Sequence, residues 1–134
     1  MSIQETYLFD QFRSVFPEIE KQFYIPYVRS GSKRHYRYDF RYQNKIIEFH
    51  GDFWHAHPLL YAEDFVNPTT KKTAFETWTS DYHKNQYAID NGYSLLVVWE
   101  SDFNANRQEV VDRCTNFLLT STIHPTFTDY HDNN

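Results

Sequence analysis

The stretch that decides the fold is residues 35–50, which read HYRYDFRYQNKIIEFH. Its aromatic and β-branched residues favour strands, and the polar Gln-Asn pair at 43–44 divides it into two runs. Because so short a connection joins neighbouring antiparallel strands, the two runs are predicted to form a hairpin. Side chains alternate across a strand, so Glu48 and His50 should point to one face and Phe49 to the other.

The elements around this hairpin are predicted from periodicity and capping signals. Ser2 and Glu5 form a capping box, and apolar residues then recur at helical spacing, which predicts a first helix over residues 2–15. The other predicted elements are a strand at 23–25, a helix over 70–91, a strand over 93–99 and a last helix capped by Asn104 or Asn106. The order α-β-β-β-α-β-α predicts an α/β domain with a mixed sheet of about four strands flanked by helices, since the long helix can carry the chain to a parallel fourth strand.

Length and composition favour a single folded domain. The chain has 134 residues, of which 19% are aromatic and only 3 are Gly. Residues 1–120 are predicted to form the domain, and the polar residues 121–134, broken by Pro125, a loosely ordered tail. The lone Cys114 excludes a disulfide scaffold and a Cys-rich zinc cluster. With neither an export signal nor a long apolar run, we expect an intracellular protein without membrane contact.

Charge is unevenly distributed along the chain. The net charge is -5, yet residues 29–45 hold six Lys and Arg side chains against the single acid Asp39, a local balance of +5. A compact basic face on an acidic body is compatible with nucleic acid, because phosphate contacts are mostly supplied by Lys and Arg. A solvated pair of charged strands is the alternative interpretation.

Two carboxylates are predicted to meet on the hairpin. Asp39 and Glu48 lie on adjacent strands with eight residues between them. Carboxylates brought together repel and require a cation, and an oxygen-only cluster suits Mg²⁺ better than zinc. The backbone carbonyl of Phe49 is a further candidate ligand. The alternative is a surface hairpin with ordinary charges, because an acid, a gap and an acid-x-cation triplet often occur by chance.

The neighbourhood of these acids resembles a known family. The relevant stretches are Tyr38-Asp39-Phe40, residues 46–57 with the sequence IIEFHGDFWHAH, Asn91-Gly92-Tyr93 and residues 96–100 with the sequence LVVWE. Together they resemble the very short patch repair (Vsr-like) endonucleases and the EDxHD homing endonucleases of phages, two groups of the PD-(D/E)xK nuclease superfamily. The resemblance covers about residues 2–103. Glu48-Phe49-His50 matches the superfamily triplet, with His where Lys is usual.

The resemblance implies a metal site and a catalytic pair. Asp39 would be the metal-binding carboxylate and the carbonyl of Phe49 a second ligand. With Glu48, the other carboxylate of the hairpin, they would bind Mg²⁺, for which Mn²⁺ may substitute. Glu5 matches a first-helix Glu near the metal, a role compatible with its capping box. His55 matches the general base or proton donor at the scissile phosphate, oriented by the residue that matches Asp81.

Other residues are given contacts with double-stranded DNA. The candidates for phosphate contacts are Arg34, Arg37 and Arg41, with His50 beside the scissile phosphate and Lys84 either at a phosphate or paired with an acid. His50 could instead be an inert core residue. The resemblance implies that Phe53-Trp54 is a wedge pushed into the base stack, although simple core packing is the alternative.

The sequence also departs from the repair branch. His57 matches one ligand of that branch's structural zinc but no Cys follows it, so no structural zinc is expected. Glu48 replaces an apolar residue, which makes mismatch specificity less secure than cleavage. We therefore expect a Mg²⁺-dependent endonuclease of the homing or mobile-element kind, acting in the cytoplasm of a bacterial or phage-infected cell. The alternatives are a T:G mismatch nicking enzyme and a catalytically inactive DNA-binding module.

Overall fold

The computed structural model describes residues 1–131, which form a mixed five-stranded sheet with four helices. The helices are α1 (Ile3–Val15), α2 (Ala74–Asp90), α3 (Glu100–Ala105) and α4 (Arg107–Leu119); the strands are β1 (Glu20–Arg29), β2 (Ser32–Tyr42), β3 (Lys45–His50), β4 (Ser94–Trp99) and β5 (Phe127–Asp129). The strands lie in the order β1-β2-β3-β4-β5, antiparallel from β1 to β3 and parallel from β3 to β5. The predicted α/β class, the hairpin and the parallel β4 are confirmed.

Side-chain caps mark the starts of α1, α2 and α4. The Ser2 hydroxyl accepts a hydrogen bond from the Glu5 amide at 3.1 Å. Helix α2 starts after Thr73, which forms a capping box with Glu76, and so begins a turn later than predicted. Asn106, the second of the two predicted candidates, caps α4. None of the helices in residues 1–131 is long and apolar enough to cross a bilayer.

Helices cover both faces of β3 and β4, and the apolar residues of these two strands divide between two cores. Ile47 and Leu96 face α1 and α4, whereas Ile46 and Leu95 face α2. Strands enclosed on both faces have near-continuous apolar sequences, as in residues 95–99. The one acid within β3 is therefore held in a buried environment.

The C-terminal segment is where the predicted fold is wrong. Residues 127–129 form a fifth strand parallel to β4, although residues 121–134 were expected to be a loosely ordered tail; residues 132–134 lie outside the described part of the chain. The Trp99 indole donates to the Asp129 carboxylate at 3.0 Å, and the Tyr130 amide donates to the Val97 carbonyl at 2.8 Å. A three-residue strand in a polar segment has too little periodicity to be predicted.

We predict that Tyr130→Ala destabilises the fold by about 3 kcal/mol, because deleting a buried aromatic ring costs roughly that much. The Tyr130 side chain is only 4% exposed and packs in the core between the sheet and α4. The control is Ile123→Ala, at 93% exposure in the same segment, which should change stability by less than about 0.5 kcal/mol. Urea unfolding measures both; equal, small effects would show that this segment leaves the sheet in solution.

Candidate active site

Asp39 and Glu48 lie where β2 and β3 separate. The pairing of these strands ends at Phe40 and Ile47, and beyond it the two carboxylates take over the backbone hydrogen bonds. Glu48 Oε1 accepts from the Asp39 amide at 2.7 Å, and Asp39 Oδ2 accepts from the Phe49 amide at 2.8 Å. Each acid therefore satisfies a backbone donor of the opposite strand, which fixes both side chains at the fork.

Glu48 is a buried, ionised carboxylate. Its side chain is 2% exposed, and its Oε2 accepts from Lys84 Nζ at 2.8 Å, with His50 Nε2 at 3.8 Å. Burial alone would raise the pKa of Glu48, but the Lys84 ammonium and the His50 imidazole outweigh it and hold the pKa at about 2. Lys84 Nζ lies over the Tyr38 ring at 5.0 Å, and the Tyr38 hydroxyl donates to the Lys84 backbone carbonyl at 2.7 Å. Of the two roles predicted for Lys84, the structure shows pairing with an acid.

The surroundings of Asp39 have the opposite effect on its pKa. Burial raises the pKa of Asp39 well above its usual value, and the nearby carboxylates of Glu48 and Glu5 raise it further. The hydrogen bond from the Phe49 amide and the charge of Lys84 only partly offset this rise in pKa. A negative charge here is therefore poorly compensated by the protein's own groups.

These residues line one open cleft of about 290 Å³. Its walls are formed by Met1, Glu5, Gln22, Arg37, Asp39, Glu48, Phe49, His55 and Lys84. The Phe49 ring lies in the core on the other side of the sheet, so Phe49 presents its backbone to the cleft. Glu5 reaches it from the first turn of α1, which brings a third carboxylate to the site. Seven predicted site residues thus converge on this cleft: Glu5, Arg37, Asp39, Glu48, Phe49, His55 and Lys84.

The two histidines lie between this cleft and α2. His55 Nδ1 is 2.8 Å from Asp81 Oδ2, the pairing predicted for a general base and its orienting acid. The His50 ring stacks on His55 with centroids 3.7 Å apart and planes 3° from parallel. Burial lowers the pKa of His50, against the partial opposing effect of Glu48. A neutral His50 therefore packs against His55, and His50 Nδ1 has no hydrogen-bond partner among the described residues.

His50, His55 and Asp81 could also hold a metal ion, since one ligand atom of each lies within 4.8 Å of the others. The arrangement is not ready-made for that purpose. Imidazole lone pairs lie in the ring planes, and parallel rings direct them side by side rather than towards one point. Binding a cation here would require one ring to rotate and the His55–Asp81 hydrogen bond to break.

Contacts outside the predicted set hold the loop that carries His55. The Trp78 indole donates to the Ala56 carbonyl at 2.6 Å and ties this loop to α2. The Asp52 amide donates to Glu100 Oε1 at 3.1 Å, which ties the loop to the start of α3. Sequence reasoning missed these supports, although Glu100 belongs to the LVVWE stretch at residues 96–100.

The predicted DNA contacts differ in their surroundings. Arg34 and Arg37 are exposed, whereas Arg41 is engaged: it pairs with Glu20 at 3.2 Å and lies over the Phe23 ring at 5.0 Å. Among the predicted wedge residues, Trp54 is 55% exposed and its neighbour is half-buried, so simple core packing does not describe the pair.

His57, the residue matched to a zinc ligand, is 97% buried. Its ring packs on Trp99 with centroids 4.3 Å apart, and its Nδ1 accepts a hydrogen bond from the Leu59 amide at 3.2 Å. These contacts give His57 a structural part in the loop.

No protein-family model, curated protein or solved structure matches the chain. The case for its function therefore rests on its own residues and geometry, together with the motif resemblance.

We predict that Lys84→Met destabilises the protein by about 3 kcal/mol, because removing one partner of a buried pair leaves an uncompensated charge. Adding Glu48→Gln should recover most of that loss, since no ion then remains to be buried. Urea unfolding of the two single variants and the double variant forms the cycle. Strictly additive effects would contradict a direct Lys84–Glu48 interaction.

Proposed function

We propose that this protein is a Mg²⁺-dependent DNA endonuclease of the PD-(D/E)xK type that hydrolyses phosphodiester bonds in duplex DNA. The observation that carries the proposal is the convergence of Glu5, Asp39, Glu48 and His55 with Lys84 on one open cleft. Three acids, a lysine and a histidine held by an acid are the groups that such hydrolysis needs. The α/β fold, with a mixed sheet that presents the acids at a strand fork, is compatible with that superfamily.

The donor set fits a hard divalent cation. Asp39, Glu48 and the Phe49 carbonyl offer only oxygen atoms, the ligands that Mg²⁺ prefers. Burial and two neighbouring acids raise the pKa of Asp39, so a cation bound beside it would stabilise its ionised form. When bound there, the cation would supply Lewis-acid stabilisation of the charge that develops on the phosphate.

The remaining chemistry falls to the protein's own side chains. His55 accepts the proton of the attacking water, and Asp81, on its other ring nitrogen, fixes the tautomer and stabilises the cation that forms. His50 stays neutral behind it, so a second cation does not oppose protonation of His55. Lys84 keeps Glu48 ionised and carries positive charge into the cleft beside the phosphate.

Exposed Trp54 favours a second candidate, a T:G mismatch nicking enzyme. An apolar side chain pushed into the base stack costs a few kcal/mol of unstacking and is repaid by contacts to the bent duplex. A tenfold or greater preference for a T:G duplex over a matched duplex would favour this role. Equal cleavage would favour a homing or mobile-element enzyme, and no cleavage at all an inactive DNA-binding module.

The first functional prediction concerns the metal. Nicking of supercoiled plasmid should vanish in EDTA and return with Mg²⁺ or Mn²⁺, and Asp39→Asn should abolish it while the protein stays folded. The matched control is Asp10→Asn on the exposed side of α1, which should cleave at the parental rate.

Calorimetry separates this site from the histidine group. Asp39→Asn should abolish Mn²⁺ binding, and His50→Ala should leave most of it. The reverse result would place the cation at His50, His55 and Asp81 instead, and robust cleavage in EDTA would refute a metal-dependent mechanism.

The second concerns the proposed base. His55→Ala should lower the cleavage rate about a hundredfold or more, the usual range for a lost general base, with nearly unchanged DNA affinity. Asp81→Asn should give a smaller loss of the same kind. His83→Ala, an exposed histidine on the same helix, is the control and should cleave normally. If His55→Ala retains the parental rate, His50 becomes the better candidate.

A further inference from the structure

The β1–β2 hairpin extends well beyond the sheet. Its strands remain paired as far as Arg29 and Ser32, whereas β2 pairs with β3 only from Phe40 to Tyr42. We call residues 23–38 the arm. The seven residues of β2 beyond the fork span roughly 23 Å at about 3.3 Å per residue. The arm is therefore a two-stranded ribbon with one strand edge no longer covered by β3.

One face of the arm is held by α2. The rings of Tyr27 and Tyr36 stack at 4.3 Å, and the Tyr87 hydroxyl on α2 donates to the Pro26 carbonyl at 2.9 Å. Ile25 on this inner face is buried. The arm is thus fixed relative to the helix that carries Asp81 and the lysine of the cleft.

The opposite, outer face is exposed throughout. Cross-strand partners share a face, and the outer pairs are Tyr24 with Arg37, Pro26 with His35, and Val28 with Lys33. No acid occurs between residues 23 and 38, and four cations do, in a chain of net charge -5. The arm is the strongest concentration of positive charge without compensating acids in the sequence, and two of its four cations, Lys33 and Arg37, lie on this outer face.

The outer face is continuous with the cleft, because Arg37 both belongs to it and lines the cleft with Asp39. A polyanion bound at the cleft would therefore continue along the arm. A two-stranded ribbon fits the DNA major groove, which is about 12 Å wide. We propose that the outer face of the arm binds duplex DNA beside the cut site, with the ribbon in the major groove. The inference rests on the proposed endonuclease function and names the surface that places the duplex.

Two charge-matched double variants test the surface. Lys33→Ser/Arg37→Ser removes both cations of the outer face, and Arg13→Ser/Lys72→Ser removes two exposed cations from elsewhere. Duplex binding is followed in EDTA by fluorescence anisotropy over a range of salt concentrations. The arm variant should bind about tenfold more weakly and lower the salt slope by about two units, roughly 0.9 per phosphate contact, and the control should match the parent.

A variant with a shortened arm tests the same surface by deletion instead of by substitution. Joining Tyr27 to Arg34 through Asn-Gly preserves their pairing with a favoured two-residue turn and removes the tip. It should also lose affinity, because it removes Lys33 together with the outer pair that Lys33 forms with Val28. Parental affinity and slope in both arm variants would overturn the proposal, as would equally tight arm-dependent binding of polyglutamate, which would indicate an acidic protein partner.

Hydrolysis of bis(p-nitrophenyl) phosphate by the parent chain with Mn²⁺ tests the endonuclease separately. Arm-dependent DNA binding without hydrolysis of this diester or of plasmid would leave the docking surface standing and refute the catalytic function. Hydrolysis combined with parental DNA binding by both arm variants would refute the docking surface alone.

Discussion

The reciprocal exchange of hydrogen bonds between Asp39 and Glu48 is the constraint on which the rest of the site depends. A strand pair that separates leaves backbone donors without partners, and a buried unpaired amide costs free energy comparable to a lost hydrogen bond. Here each carboxylate satisfies the donor exposed by the separation. The fork can therefore open beside the core, and the two acids are held together by the same contacts that keep it open.

Holding two acids together in a buried place has an electrostatic cost that the protein offsets on one side only. Lys84, whose ammonium lies over the Tyr38 ring, neutralises Glu48. Asp39 receives a backbone amide and a smaller effect of the Lys84 charge, and it faces a third acid, Glu5. The poorly compensated carboxylate of Asp39 faces the open cleft, where a cation from solvent could neutralise it. Lys84 reaches Glu48 from α2, whereas the position two residues after Glu48 on β3 holds His50.

Local signals account for what could be predicted from the sequence. Alternation and the short turn at 43–44 predicted the hairpin, capping residues predicted the helices, and the resemblance brought together Asp39, Glu48, His55 and Asp81. The side chains that support the site were out of reach because their partners are distant in sequence: Trp78 binds the carbonyl of Ala56, and Tyr38 that of Lys84. The fifth strand escaped prediction because its order comes from Trp99 and Val97 of β4 rather than from its own composition.

The two faces of the hairpin arm are under different structural constraints. Its inner residues pack on α2 and are tied to the fold, whereas those of its outer face touch little else in the chain. Substitutions at exposed positions of this kind usually change stability by less than about 0.5 kcal/mol. The outer face can therefore vary in sequence while the fork and its acids stay constant, so its charge and shape can change without affecting how the chain folds.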